Sequence, residues 1–140
     1  MVVAIPSSTE FLSLVREVSK RVAQLAGFEE AVAEGVALAV DECTTNVIKH
    51  AYRGAADERI ELRLEYRGLD LKIEVSDSGD AVDRKAVPKL DLERYAAERR
   101  KGGLGVHLME KIMDSVSFRR TARRNVCCMI KHKPVSGAAR

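Results

Sequence analysis

The chain contains, at residues 102–113, the stretch Gly102-Gly103-Leu104-Gly105-Val106-His107-Leu108-Met109-Glu110-Lys111-Ile112-Met113. Its three glycines carry no Cβ atoms, so a ligand can approach the backbone closely and consecutive N–H groups can point inward. The residues that follow place apolar side chains at helical spacing, and the first turn of a helix favours an anion. The stretch therefore predicts a phosphate-binding loop that leads into a helix. The alternative is a flexible turn before a helix.

The composition predicts one soluble globular domain over residues 1–140, with 46% hydrophobic and 32% charged residues. The net charge of +3 is small and only 4% of the residues are aromatic, which argues against a nucleic-acid partner. The sequence shows no membrane-spanning run and no signal peptide, so we expect a cytoplasmic protein without a membrane partner. Cys43, Cys127 and Cys128 lack metal-ligand spacing and are expected to be reduced packing residues.

A second helix is predicted from Glu29 to Ala51, after a strand at residues 1–5 and a first helix that ends at Gly27. At about 100° per residue, Glu42 and Asn46 lie one turn apart on its polar face. An amide oxygen can join the coordination shell of a magnesium ion, and a neighbouring carboxylate can accept a proton from an attacking hydroxyl group. The pair is therefore a candidate for chemistry on a metal-bound phosphate. The alternative is an ordinary polar helix face.

From Arg59 onward the apolar residues recur with a period of two, which predicts a hairpin over residues 59–76 that turns at Gly68 and has one apolar face. The second strand leads into Asp77-Ser78-Gly79-Asp80-Ala81. A carboxylate thus lies where a strand meets a glycine turn, although turn chemistry alone would also explain Asp and Gly there.

The pattern weakens between Ala81 and Lys101, and we interpret this segment as a mobile cover whose basic end, residues 99–101, can close on phosphate. Val116 and Phe118 indicate one further strand, and residues 126–130 indicate the last. The arginines between these strands predict a solvated hairpin tip, with an RNA or membrane patch as the alternative.

Taken in order, the chain presents Glu42-Cys43-Thr44-Thr45-Asn46 on a helix, Asp77-Ser78-Gly79 after a strand, and then Gly102-Gly103-Leu104-Gly105. This ordered set resembles the GHKL ATPases. More closely, residues 39–52 and 102–114 resemble the stand-alone anti-sigma-factor serine kinases of bacterial partner-switching systems. Each motif alone has low specificity, but their order and spacing agree with that family over nearly the whole chain.

The resemblance implies a two-layer α/β sandwich of the Bergerat type, with helices on one face of a mixed, mostly antiparallel sheet. It implies an ATP-dependent protein serine/threonine kinase that uses Mg²⁺, with Glu42 as general base, Asn46 as magnesium ligand and Asp77 as acceptor for the adenine amino group. The other residues that it assigns to nucleotide binding are Gly79 beside the purine, the backbone of Gly103, Leu104, Gly105 and Val106 around the phosphates, and the cations Lys49, Arg100 and Lys101.

The partners that the resemblance implies are proteins: a sigma factor or similar effector, and a small antagonist that carries the acceptor serine. A homodimer is also implied. Two positions depart from the family pattern. The second motif of the family is usually Asp-x-Gly-x-Gly, and Ala81 stands in place of its last glycine. Cys127 stands where many relatives have a threonine near the adenine. These departures leave open a second hypothesis, a non-catalytic regulator in which the nucleotide controls protein binding. A sensor histidine kinase domain is disfavoured, because no phosphoacceptor helix pair precedes the motifs.

Overall fold

A computed structural model describes residues 1–81 and 105–134 of the chain. In chain order the elements are β1 (Val2–Pro6), a 3₁₀ turn (Thr9–Phe11), α1 (Leu12–Leu25), α2 (Glu30–Asn46), a π-helical turn (Val47–Ala51), β2 (Arg59–Arg67), β3 (Asp70–Asp77), α3 (Gly105–Ile112), β4 (Ser115–Thr121) and β5 (Arg124–His132). The predicted cover over residues 81–101 lies almost entirely outside the described residues, as does most of the glycine cluster.

The five strands form one sheet in the order β1-β2-β3-β5-β4. Every pair of neighbouring strands in the described part of the chain is antiparallel. The hairpin of β2 and β3 pairs Leu62 with Val75 and Leu64 with Ile73, as the period of two predicts. Strand β5 inserts beside β3, so the last strand in the chain is not at the edge of the sheet.

The two faces of the sheet differ in chemistry, because successive side chains of a strand point to opposite faces. The face toward the helices is apolar, and its largest fully buried side chains are Ile60, Leu62, Leu64, Leu71, Ile73 and Met129. The opposite face is charged and carries ion pairs from Arg119 to Glu74 and from Arg124 to Glu61. Helices on one face of a sheet define a two-layer α/β sandwich, which confirms the predicted fold class. The sheet was predicted to be mixed, but among the described strands it is wholly antiparallel.

The predicted second helix is confirmed, but it changes type at its end. It is α-helical from Glu30 to Asn46 and continues as a π-helical turn to Ala51. The N–H of Tyr52 donates to the carbonyl of Val47 at 2.9 Å, which closes the wider turn. Because π-helical turns are often found at functional sites, the position of this turn directly after Asn46 is notable.

The other strands and helices predicted within the described residues are also present, with shifted boundaries. Gly27 has φ +99° and ends α1, as expected of a glycine after a helix. The last strand begins at Arg124, two residues before the predicted start, so Asn125 belongs to the sheet and not to the turn. Cys43, Cys127 and Cys128 are buried and form no disulfide, which agrees with their predicted role in packing.

Candidate functional site

The polar face of α2 carries the predicted catalytic pair at the C-terminal end of the helix. Asn46 is the last α-helical residue and is only 5% exposed. Glu42 is half-buried one turn earlier. An ordinary solvated helix face would expose both side chains, so their burial favours a site over that alternative.

The electrostatic environment of Glu42 suits a general base. Burial raises the pKa of its carboxyl group, the neighbouring Asp41 carboxylate raises the pKa further, and the Lys49 ammonium group opposes both effects. Lys49 lies on the π-helical turn and is exposed. A carboxylate with a raised pKa is a better proton acceptor than a fully solvated one, because burial and like charge destabilise its ionised form.

Asp77 is the last residue of β3, directly before the turn, and it is 3% exposed. The Asp77 Oδ1 atom accepts a hydrogen bond from the Gly79 N–H at 2.9 Å, so part of the carboxylate stabilises its own turn. The same oxygen accepts a second hydrogen bond from Asn125 Nδ2 at 2.8 Å. Local turn chemistry therefore explains only one of these two hydrogen bonds, since the other comes from a side chain on β5.

Gly79 is required by packing against the end of the π-helical turn. A Cβ atom on this residue would lie 2.5 Å from the Ala51 carbonyl oxygen and 2.6 Å from the carbonyl carbon. The N–H of the next residue, Asp80, donates to that same oxygen at 2.8 Å. The turn after β3 is thus joined to the helix that carries Glu42 and Asn46.

Tyr52 and Asn125 support the turn after β3, and the sequence did not reveal either role. The Tyr52 hydroxyl donates to the Arg59 carbonyl at 2.6 Å and accepts from the Ser78 N–H at 2.8 Å. Asn125 contacts the turn from β5, where it lies opposite Asp77 in the register. Only the strand pairing could reveal this contact, because the two residues are far apart in the sequence.

The predicted helix at the end of the glycine cluster is present as Gly105–Ile112 and packs against α2. Met109 and Met113 are buried in the core, which confirms the apolar face read from the sequence. Gly105 and Val106 are the first two residues of this helix, the position from which backbone N–H groups bind anions. Four further predicted nucleotide contacts lie outside the described residues: Arg100, Lys101, Gly103 and Leu104.

Comparison with known proteins identifies the class to which this arrangement belongs. The sequence pattern of the histidine kinase-like ATPase domain matches residues 5–131, and this match spans most of the chain. The chain therefore belongs to the histidine kinase-like ATPase domain family. Members of the family are ATPase domains, which implies that the chain uses ATP.

The chain is similar, within that family, to serine-protein kinases named RsbW. The kinase of Listeria monocytogenes is 33% identical over 118 residues, which cover 81% of this chain and 75% of the kinase. The kinase of Staphylococcus aureus is 33% identical over 119 residues, which cover 81% of this chain and 74% of the kinase. The resemblance to stand-alone serine kinases is thereby confirmed.

Two solved structures share the fold at lower sequence identity. The histidine kinase domain of a blue-light activated kinase from Erythrobacter litoralis EL346 superposes with a TM-score of 0.54 at 16% identity, covering 91% of this chain and 61% of that one. A chain of the SiaB-SiaC complex from Pseudomonas aeruginosa superposes with a TM-score of 0.53 at 14% identity, covering 94% and 88%. Both matches support the α/β sandwich.

Residues 1–81 and 105–134 contain neither a candidate membrane span nor a candidate metal cluster. In these ranges no helix has the length and apolar character needed to cross a membrane. Nor do three or more His, Cys, Asp or Glu side chains gather there in a group that suits a metal ion.

Proposed function

We propose that this protein is an ATP-dependent protein serine/threonine kinase that acts as an anti-sigma-type regulator in a partner-switching pathway. Its substrate is a small antagonist protein with an acceptor serine. The observation that carries the proposal is the half-buried Glu42, one turn before the buried Asn46, on a helix joined to the Asp77 turn. The similarity to the RsbW serine-protein kinases supports the choice of a protein hydroxyl as acceptor.

The residues of the chain divide the chemistry between binding and proton transfer. Asp77 accepts a hydrogen bond from the adenine amino group, and Gly79 lies beside the purine. Glu42 accepts the proton of the acceptor serine hydroxyl.

Backbone N–H groups of Gly103, Leu104, Gly105 and Val106 bind the phosphates, and Lys49, Arg100 and Lys101 add positive charge. ATP supplies the transferred phosphoryl group, and the transfer needs mainly positioning and charge neutralisation from the protein.

Asn46 fits the role of a magnesium ligand. Mg²⁺ in kinase sites is usually held by one or two protein oxygens together with substrate phosphates. A single buried amide at the end of α2 agrees with that pattern, and the described residues offer no larger cluster of ligands. Most of the coordination shell would then come from the phosphates of ATP and from water.

The partners that we propose are a sigma factor or similar effector, which the kinase sequesters, and the antagonist, which it phosphorylates. We also propose that the protein works in the cytoplasm as a homodimer. No nucleic acid is part of the proposal, because arginines of the β4–β5 hairpin bind acidic side chains of the sheet: Arg119 binds Glu74 and Arg124 binds Glu61.

The test is a phosphorylation assay on a partner recovered with the native protein from its own cells. The purified kinase, with ATP and Mg²⁺, should transfer phosphate to a serine of a small co-purifying protein. Glu42→Ala should abolish the transfer and retain ATP binding. A wild-type protein that binds ATP but phosphorylates none of its small partners would contradict the kinase assignment.

Ala81 favours a second candidate function, a non-catalytic regulator in which the nucleotide gates protein binding. This residue replaces the last glycine of the second motif, next to the segment that we interpret as the cover. In that case Glu42→Ala would leave both nucleotide-dependent partner binding and regulation in cells unchanged. The kinase hypothesis predicts instead that Glu42→Ala abolishes antagonist phosphorylation and disrupts regulation in cells.

A further inference from the structure

The side chain of Asn125 connects three groups of the Asp77 turn. Its Nδ2 atom lies 2.8 Å from Asp77 Oδ1, 3.0 Å from the Asp80 carbonyl oxygen and 3.3 Å from the Gly79 carbonyl oxygen. Asn125 is itself only 4% exposed. One amide group therefore fixes both the carboxylate and the backbone that follows it.

Arg120 holds Asn125 from the neighbouring strand. Strands β4 and β5 pair Arg120 directly with Asn125. The Arg120 guanidinium donates to Asn125 Oδ1 at 2.8 Å and to the Gly79 carbonyl oxygen at 3.1 Å. Because the amide oxygen is bound to a guanidinium donor, the amide NH₂ group must point toward Asp77 and the turn. The orientation of the amide is thus determined by the register of the hairpin.

The chemistry of this contact matters for nucleotide choice. A carboxylate can only accept hydrogen bonds, so it pairs with the amino group at position 6 of adenine and not with the carbonyl group of guanine. That discrimination requires the carboxylate to keep one orientation, and a donor from β5 restricts its rotation. Aspartate or alanine in place of Asn125 would supply no such donor at neutral pH.

We propose that Asn125 is a positioning residue for adenine recognition, held by Arg120, which orients the Asp77 carboxylate toward the amino group of the base. This inference rests on the proposed function, because it assumes that Asp77 binds adenine. It extends that function by making the β4–β5 hairpin part of the specificity of the nucleotide site.

The experiment compares the affinities of ATP and of purine riboside triphosphate, which lacks the 6-amino group, for each variant. The wild type should prefer ATP, and Asp77→Ala should remove the preference. Asn125→Ala should reduce the ratio of the two affinities about tenfold, as expected for a weakened hydrogen bond to a charged group. Arg120→Ala should reduce the ratio by about threefold, because it acts only through Asn125 and the turn.

The matched control is Lys133→Ala. Lys133 directly follows β5, and its ammonium group donates to the Ala26 carbonyl oxygen at 2.7 Å. The variant therefore also loses a side-chain hydrogen bond, but this bond lies at the end of α1 and not at the Asp77 turn. Its ratio should equal that of the wild type even if its melting temperature falls. Should Asn125→Ala not fold, Arg120→Ala carries the test, because the Arg120 side chain is exposed.

Three outcomes are informative. A selective loss of ATP affinity in the Asn125 and Arg120 variants supports the proposal. Equal losses of affinity for both nucleotides, which leave the ratio of the two affinities unchanged, would overturn it and leave Asn125 with a purely structural role. A wild type that does not prefer ATP would show that Asp77 does not read adenine. That result refutes the adenine assignment of the proposed function before any variant is considered.

Discussion

The turn after β3 and the polar face of α2 are the two halves of the candidate site, and they are stabilised in different ways. The turn is fixed by hydrogen bonds from β5, from Tyr52 and from the end of the π-helical turn. On α2, the pKa of the Glu42 carboxyl group is set instead by partial burial and by the charges of Asp41 and Lys49. The comparison indicates that the half proposed to bind adenine is preformed by hydrogen bonds of the fold, whereas the half proposed to be catalytic responds to pH.

The largest predicted effect concerns the catalytic half. The raised pKa of Glu42 means that the carboxylate takes up a proton at a higher pH than an ordinary glutamate does. A general base must be ionised, so phosphorylation should fall about tenfold per pH unit below that pKa and recover above it. Binding of ATP should change much less over the same range. A rate of antagonist phosphorylation measured from pH 4 to pH 8 checks this.

Asp41→Asn is the control for the pH profile. Removal of the neighbouring negative charge should lower the pKa of Glu42 and shift the acid limb of the profile to lower pH. The variant keeps the side-chain shape and leaves Glu42 in place. An acid limb that is identical in the two proteins would show that another group controls the rate.

The second prediction concerns a substitution that disrupts the packing of the preformed half. In Gly79→Ala the new Cβ atom would meet the Ala51 carbonyl group at 2.5 Å, and neither backbone can move without disturbing its hydrogen bonds. We expect the free energy of unfolding to fall by about 2–3 kcal/mol, together with a loss of ATP affinity. Urea denaturation and nucleotide titration measure the two effects.

Gly35→Ala is the matched substitution in α2. Its added Cβ atom would lie 3.4 Å from Ile112 Cγ2, an ordinary contact distance, and alanine favours a helix over glycine by about 1 kcal/mol. This variant should be at least as stable as the wild type. Equal destabilisation by both substitutions would mean that the approach of Gly79 to Ala51 is not tight.

Sequence patterns predicted the elements well, because apolar periodicity reports directly on burial. The alternation in β2 and β3 and the spacing in α2 placed Leu62, Val75 and Val40 in the core, where they lie. The burial of Asn46 was not predictable from helical periodicity, since the wheel groups it with polar residues. It follows from the packing of the whole domain around the end of α2.

The contacts that complete the site could not be predicted for a different reason. Asn125 and Asp77 are 48 residues apart, and their contact depends on β5 pairing with β3 in one particular register. The basic residues around Asn125 resembled a turn, so the predicted strand began too late to include it. Gly79 illustrates a related gap: its presence in a turn was expected, but the close approach of Ala51 is visible only in three dimensions.

The third prediction is a smaller change to the preformed half. Tyr52→Phe removes the hydroxyl group that joins the Arg59 carbonyl to the Ser78 N–H. Because water can reach both groups, the free energy of unfolding should fall by only about 1 kcal/mol. Affinity for ATP should fall by a fewfold, since the turn that directly follows Asp77 is less restrained. Tyr66→Phe, at a tyrosine that is 52% exposed on β2, should change neither quantity.

The smallest predicted effect strengthens the support of the preformed half. The β4–β5 hairpin turns through Ala122 and Arg123, which have φ values of 49° and 66°. Because Thr121 pairs with Arg124, the turn between them has two residues, and both have left-handed backbone. In turns of this kind the sequence Asn-Gly is strongly preferred. Side chains with a Cβ atom cost about 1 kcal/mol in this conformation.

The double variant Ala122→Asn/Arg123→Gly should therefore raise the free energy of unfolding by about 1 kcal/mol, measured by urea denaturation. Loss of a positive charge among the hairpin arginines is a competing explanation. Arg123→Gln separates the two, because it removes the charge and keeps the left-handed backbone at a side-chain-bearing residue. If Arg123→Gln stabilises the protein as much as the double variant does, charge repulsion and not backbone strain limits the hairpin. If strain is the cause, the pH profile of phosphorylation should be unchanged in the double variant, because only the half proposed to bind adenine contacts this hairpin.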